Sequence, residues 1–305
     1  MSLPPQSAST PPGDETPSTQ APADARGSRW LNGVRDLLEF TLASMPPRGR
    51  IGVPDGDAMA RWIIPWGLLV GAAWMTVFRV AWRLFGDPEM TRVRALPALA
   101  VVLLECTLTG YLLIVGLSRA AGSAVRHDGP AGATAHAERG PLILMLAVAA
   151  HLALFISLPE RIGWYPAHDD WRSYLNPLYP QVTYRPLLLA PLWGRWAMIL
   201  AAGVGRAAPD ADELTRALCR AVRPARVLRT LLVPLAVFAV YMNREGQFFQ
   251  GLFASLIVFL SAYLTALLLA RRWGGQTRDT IHAAGAMAQM TFLASYRAFC
   301  IPSIG

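Results

Sequence analysis

Two short stretches of this chain hold side chains able to handle a phosphorylated ligand. The first ends in Arg119, whose planar guanidinium fork matches phosphate oxygens. Glu105, upstream in the same apolar run, is a hard oxygen donor of the kind a divalent cation takes. It lies four residues before Thr109 and therefore shares a helix face with it. The second stretch is Gly274-Gly275-Gln276-Thr277-Arg278-Asp279. Its paired glycines permit a tight turn and close approach of backbone to a ligand. Asp279 is suited to hold a metal ion or to accept a ribose hydroxyl. Each residue also has a plainer reading. Arg119 can anchor a helix end at a membrane surface, and Thr277 can cap the helix that follows the turn. Glu105 can form a buried ion pair with Arg79 or Arg195, since all three lie in or near apolar runs.

The elements that must position these groups are membrane helices. Of 305 residues 53% are hydrophobic and 16% charged, with a mean hydropathy of +0.33, which excludes an ordinary soluble domain. Apolar runs near the length of a bilayer crossing fall at about 62–82, 95–117, 141–158, 186–204, 228–242 and 249–270. A seventh, 281–300, is richer in Ala and Met. The expected fold is an all-α polytopic bundle of six or seven transmembrane helices in contact with the lipid bilayer. Small residues at Gly67 and Gly71, and at 283–286, would let helices approach closely.

Residues 1–28 are rich in Pro, Ser and Thr and read as a disordered tail without the pattern of a signal peptide. Residues 29–60 read as an amphipathic interfacial helix from Trp30 to Met45 followed by a linker, and 61–305 as the membrane domain. The loop 159–185 is dense in aromatic residues. Trp164, Tyr165, Trp171, Tyr174 and Tyr179 suit the headgroup region, while Glu160, His168, Asp169 and Asp170 could bind a cation. The three cysteines form no C-x-x-C pair, so neither a zinc site nor a disulfide framework is indicated.

Charge sets the expected orientation. All 28 basic residues are Arg. Twelve lie in the loops 118–140, 205–229 and 271–281, against seven in 83–94, 159–185 and 243–248. The richer loops are expected on the cytoplasmic face of the cell inner membrane, with the N-terminus on the same side. Clustering of Arg in loops between apolar runs explains a pI near 10.0 without nucleic-acid binding.

Five stretches together resemble the cobalamin-5'-phosphate synthase family (adenosylcobinamide-GDP ribazoletransferase). Residues 35–50 are similar to its L-x-F-L-T-R-I-P stretch, and Arg61-Trp62-Ile63-Ile64-Pro65-Trp66-Gly67-Leu68-Leu69-Val70-Gly71 to its first helix. Residues 109–123 align with T-G-x-L-H-x-D-G-L-x-D-x-x-D-G, keeping Thr109, Gly110, Leu112, Gly116 and Leu117. Pro191-Leu192-Trp193-Gly194-Arg195-Trp196-Ala197-Met198 is similar to L-G-R-W-A-M, and Gly274–Asp279 to G-G-x-T-G-D.

The resemblance implies attack of α-ribazole or its phosphate on the diphosphate of adenosylcobinamide-GDP, helped by Mg²⁺. It also implies ligand binding by Thr109, Gly116, Arg195, Gly274, Gly275, Thr277 and Asp279, to which the residues themselves add Arg119 as a phosphate partner, with Asp279 and Glu105 as candidate metal ligands. The motif's acids are missing, however. Val115 and Arg119 stand where the family has two Asp, Gly122 replaces the third, and Leu113 replaces the His. The expectation is a family fold, with a corrinoid or nucleotide-linked ligand, that lacks ordinary transferase activity. The alternative is a non-catalytic scaffold or partner subunit in a homo- or hetero-oligomer.

Overall fold

A bilayer leaves helices as the way for such apolar runs to satisfy their backbone, and helices are what the chain forms. The computed structural model describes residues 23–42, 54–85, 95–122, 130–158, 184–244 and 247–300. Ten helices run through them: α1 (Ala23–Thr41), α2 (Gly56–Phe85), α3 (Ala95–Thr109), α4 (Leu112–Gly122), α5 (Pro130–Ile156), α6 (Arg185–Val204), α7 (Glu213–Ala221), α8 (Pro224–Arg244), α9 (Phe248–Trp273) and α10 (Arg278–Phe299). Strand pairing among the described residues is confined to one isolated parallel bridge between Ala207 and Gln276. Residues 1–22, and 159–183 of the aromatic loop, lie outside the described set.

Five helices, α2, α5, α6, α8 and α9, are long and apolar enough to cross a membrane. The run 95–117, expected as one span, instead breaks at Gly110-Tyr111 into α3 and α4, which bend by 79°; taken as one span the pair makes a sixth. The seventh run is a helix, α10, but it is not among those apolar enough to cross. The polar side chains along its middle are covered by protein. Thr280, His282 and Gln289 are all buried against α4, α6 and α9.

The core sits along α6 and α10. Every residue from 189 to 202 is buried, with Trp193 and Trp196 edge to face at 5.5 Å. The two helices cross at Gly194 and Gly285. A Cβ on Gly285 would lie 3.0 Å from the Gly194 carbonyl oxygen, and one on Gly194 3.1 Å from that of Gly285. Small residues there let the backbones meet, as the sequence pattern anticipates. On the outside, Leu252, Leu256, Leu260, Leu264 and Leu268 form an exposed stripe along α9, a surface that lipid would cover.

The helix α1 begins at Ala23, ahead of the Trp30 start that its amphipathic pattern suggests. It packs along the start of α2, with Trp30 and Trp62 edge to face at 5.3 Å. The nine-residue α7 lies inside a stretch read from sequence as a loop. Asp212 caps it, accepting from the Thr215 N–H at 2.8 Å, and it buries Leu214, Ala217 and Leu218 while Arg216 and Arg220 stay exposed.

Candidate functional site

One end of the bundle gathers the Gly274–Asp279 stretch, the end of α4 and the α6–α7 connection. Gly274, at φ 67°, ends α9 in the left-handed region, and Gly275 follows at φ 152°. A Cβ on Gly275 would stand 2.6 Å from the Ala208 nitrogen, so the close approach requires glycine. The Ala208 N–H donates to the Gln276 carbonyl at 2.9 Å, and the Gln276 N–H donates to the Arg206 carbonyl at 2.7 Å. Thr277 then caps α10: the Thr280 N–H donates to its Oγ1 at 3.2 Å, while its own N–H donates to Thr280 Oγ1 at 2.8 Å. The plain reading of this stretch, a turn followed by a helix cap, describes its geometry.

Helix α4 packs against the same end. Gly116 sits so close to α10 that a Cβ there would lie 2.5 Å from His282 Cβ, and Trp273 Nε1–H donates to the Ala120 carbonyl at 3.2 Å. Arg119 Nη1 therefore comes to 3.9 Å from Asp279 Oδ1. The two side chains are 63% and 40% exposed, so water screens the pair and its net worth is small. Burial pushes the Asp279 carboxyl above the ordinary carboxylate range, and Arg119 and Arg278 offset that only in part.

Arg278 turns away from any such ligand. Its Nη2 donates to the Phe40 carbonyl at 2.9 Å and also to the Glu39 carbonyl, and its guanidinium lies over the Phe40 ring at 5.3 Å. The His282 ring packs on Phe40 with centroids 5.1 Å apart. The C-terminus of α1 is thereby clamped onto the start of α10 by the cation that favours a helix C-terminus.

The remaining sequence-chosen residues lie in the packed interior. Glu105 accepts from Trp74 Nε1–H at 2.8 Å and stands 3.9 Å from Arg195 Nη2; the paired side chains are 3% and 2% exposed. The buried ion pair anticipated for Glu105 thus forms with Arg195. Thr109 donates its hydroxyl to the Glu105 carbonyl at 2.8 Å. The structure brings Gly116, Arg119, Gly274, Gly275, Thr277 and Asp279 to one end, and joins Glu105, Thr109 and Arg195 within the bundle.

Sequence reasoning missed a neighbouring network. Tyr111 Oη bonds His151 Nδ1 at 2.7 Å, and Gln289 Nε2 reaches His151 Nε2 at 3.3 Å, all three residues buried. A lone His and a lone Gln inside apolar runs were the available signal.

A magnesium ion prefers near-octahedral oxygen ligands, and the donors among the described residues do not assemble such a set. The Glu105 carboxylate is engaged by Trp74 and Arg195, and Asp279 faces a cation. Among the described residues no three His, Cys, Asp or Glu side chains come together as a metal site.

The profile of the cobalamin-5-phosphate synthase family matches residues 40–299, a span that includes the α4 end, the α6 centre and the Gly274–Asp279 turn. No curated protein and no solved structure matches the chain. With most of its length matched, and with a helical fold holding five to six membrane-span candidates, the chain belongs to the cobalamin-5-phosphate synthase family.

Proposed function

We propose that this chain keeps the family fold without the family's magnesium-assisted ribazole transfer, and serves as a non-catalytic membrane scaffold or partner subunit at that step of cobalamin synthesis. The observation that carries this reading is Arg119: it stands where the family has a carboxylate and faces Asp279 at 3.9 Å. A cation there opposes metal binding, and the acids that would hold the ion on this helix face are absent at 115, 119 and 122. What the end of the bundle retains suits recognition more than chemistry. Arg119 is exposed enough to exchange Asp279 for a phosphate of a corrinoid or nucleotide-linked ligand.

The test is turnover by purified protein in lipid with adenosylcobinamide-GDP, α-ribazole and Mg²⁺. No cobalamin product above background is expected. Val115→Asp, Arg119→Asp and Gly122→Asp together should restore some product. Robust Mg²⁺-dependent product from the unmodified chain would overturn the proposal.

The same reading places this end on the cytoplasmic side of the inner membrane. Its support is the arginine excess in 118–140, 205–229 and 271–281, together with the meeting of their described parts through Trp273–Ala120 and Ala208–Gln276. Cysteines introduced in those loops should resist impermeant thiol reagents added to intact cells, and efficient labelling would reverse the orientation.

A further inference from the structure

A second concavity, apart from the family site, opens where α1, the start of α2 and α7 meet. Its volume is about 530 Å³, and Asn32, Asp55, Gly56, Asp57, Ala217 and Arg220 line it. The charges that face it are of both signs, and each is only partly engaged. Asp55 Oδ1 accepts from the Ala58 N–H at 3.0 Å, and Asp57 Oδ1 pairs with Arg226 at 2.6 Å, which leaves the second oxygen of each carboxylate. Arg220 donates from Nε to the Arg216 carbonyl at 3.2 Å, which leaves its two terminal nitrogens.

The position of the cleft narrows the ligand. Gly56 opens the helix whose apolar run begins near residue 62, so the cleft lies just outside the apolar stretch, on the headgroup side. Beside Asn32, Trp30 and Leu31 are 52% and 61% exposed, an apolar surface against which acyl chains can lie. Trp at this depth is the usual interfacial anchor. With Asp57 shared with Arg226, a ligand matched to the Asp55 carboxylate, the second oxygen of Asp57, the Arg220 guanidinium and an adjoining apolar strip carries an ammonium, a phosphate and a tail.

We propose that this cleft binds the headgroup of a zwitterionic aminophospholipid, with the ammonium on Asp55 and Asp57 and the phosphate on Arg220 and Asn32. A primary ammonium offers N–H donors to the carboxylates, whereas a quaternary headgroup offers none, so phosphatidylethanolamine is selected over phosphatidylcholine. An anionic lipid without an amine satisfies Arg220 but meets the two carboxylates unfavourably.

The experiment uses the full chain in nanodiscs of phosphatidylcholine doped with phosphatidylethanolamine or phosphatidylglycerol, with retained lipids counted by native mass spectrometry. At least one phosphatidylethanolamine should be retained in preference to either other lipid. Arg220→Gln should weaken that retention about tenfold, the effect of losing one hydrogen bond between charged groups. Arg216→Gln, one turn away and outside the cleft, should leave it unchanged. Equal retention of phosphatidylglycerol, or full retention by Arg220→Gln, would overturn the proposal. Displacement of the lipid by soluble phosphoethanolamine at equal concentration would overturn the lipid source and leave a small-molecule site.

Discussion

Arg195 and Glu105 show what a charge inside the bundle requires. Both side chains are almost wholly shielded from solvent, and at 3.9 Å their attraction works in a medium of low polarity. Desolvation offsets much of that gain, so the pair is weak evidence of stability, but breaking it strands a buried guanidinium. Glu105→Ala should therefore destabilise the protein by about 3–5 kcal/mol. The double change Glu105→Leu with Arg195→Met should recover most of the loss. Unfolding midpoints in detergent would check both, and a near-neutral Glu105→Ala would mean that the pair is hydrated. The two charges were legible in the sequence because apolar runs make any ionisable residue conspicuous. The partner choice, Arg195 over Arg79, was not, because it depends on how α3 and α6 pack. Nor was the role of Arg278, which contacts backbone carbonyls 238 and 239 residues away.

At the scale of elements the informative feature is the break between α3 and α4. Gly110 and Tyr111 have φ of 61° and 56°, and the second of these is costly for a residue with a side chain. Tyr111 is held there by His151, through the 2.7 Å hydrogen bond and a stacked ring at 5.9 Å. His151→Phe would leave a buried hydroxyl without that partner, at a cost of about 1–3 kcal/mol. The expected outcome is faster amide exchange across 112–122 than in α6. Exchange no faster in α4 than in the rest of the bundle would show that the break is held by other contacts. The apolar runs themselves gave away most helices. This break stayed hidden because no Pro marks it and apolar residues continue on both sides. α7 stayed hidden because nine residues with exposed arginines are too short and polar to stand out among loops.

For the whole molecule, the central fact is that α10 packs between α4, α6 and α9. A helix with buried His282, Gln289 and Thr280 has little drive to enter hydrocarbon by itself. It is also made after α1 to α9, and segments assemble in the order they are made. The earlier helices must therefore sit in the bilayer with the faces that α4, α6 and α9 turn to α10 unsatisfied until α10 has been made. Biogenesis then has a vulnerable interval before α10 arrives, and quality-control proteases would find their substrate there. A chain stopped after Trp273 should insert yet be degraded quickly, and co-expression of residues 274–305 as a separate piece should lengthen its lifetime. A stopped chain as protease-resistant as the full one would show that the outer helices close without their centre.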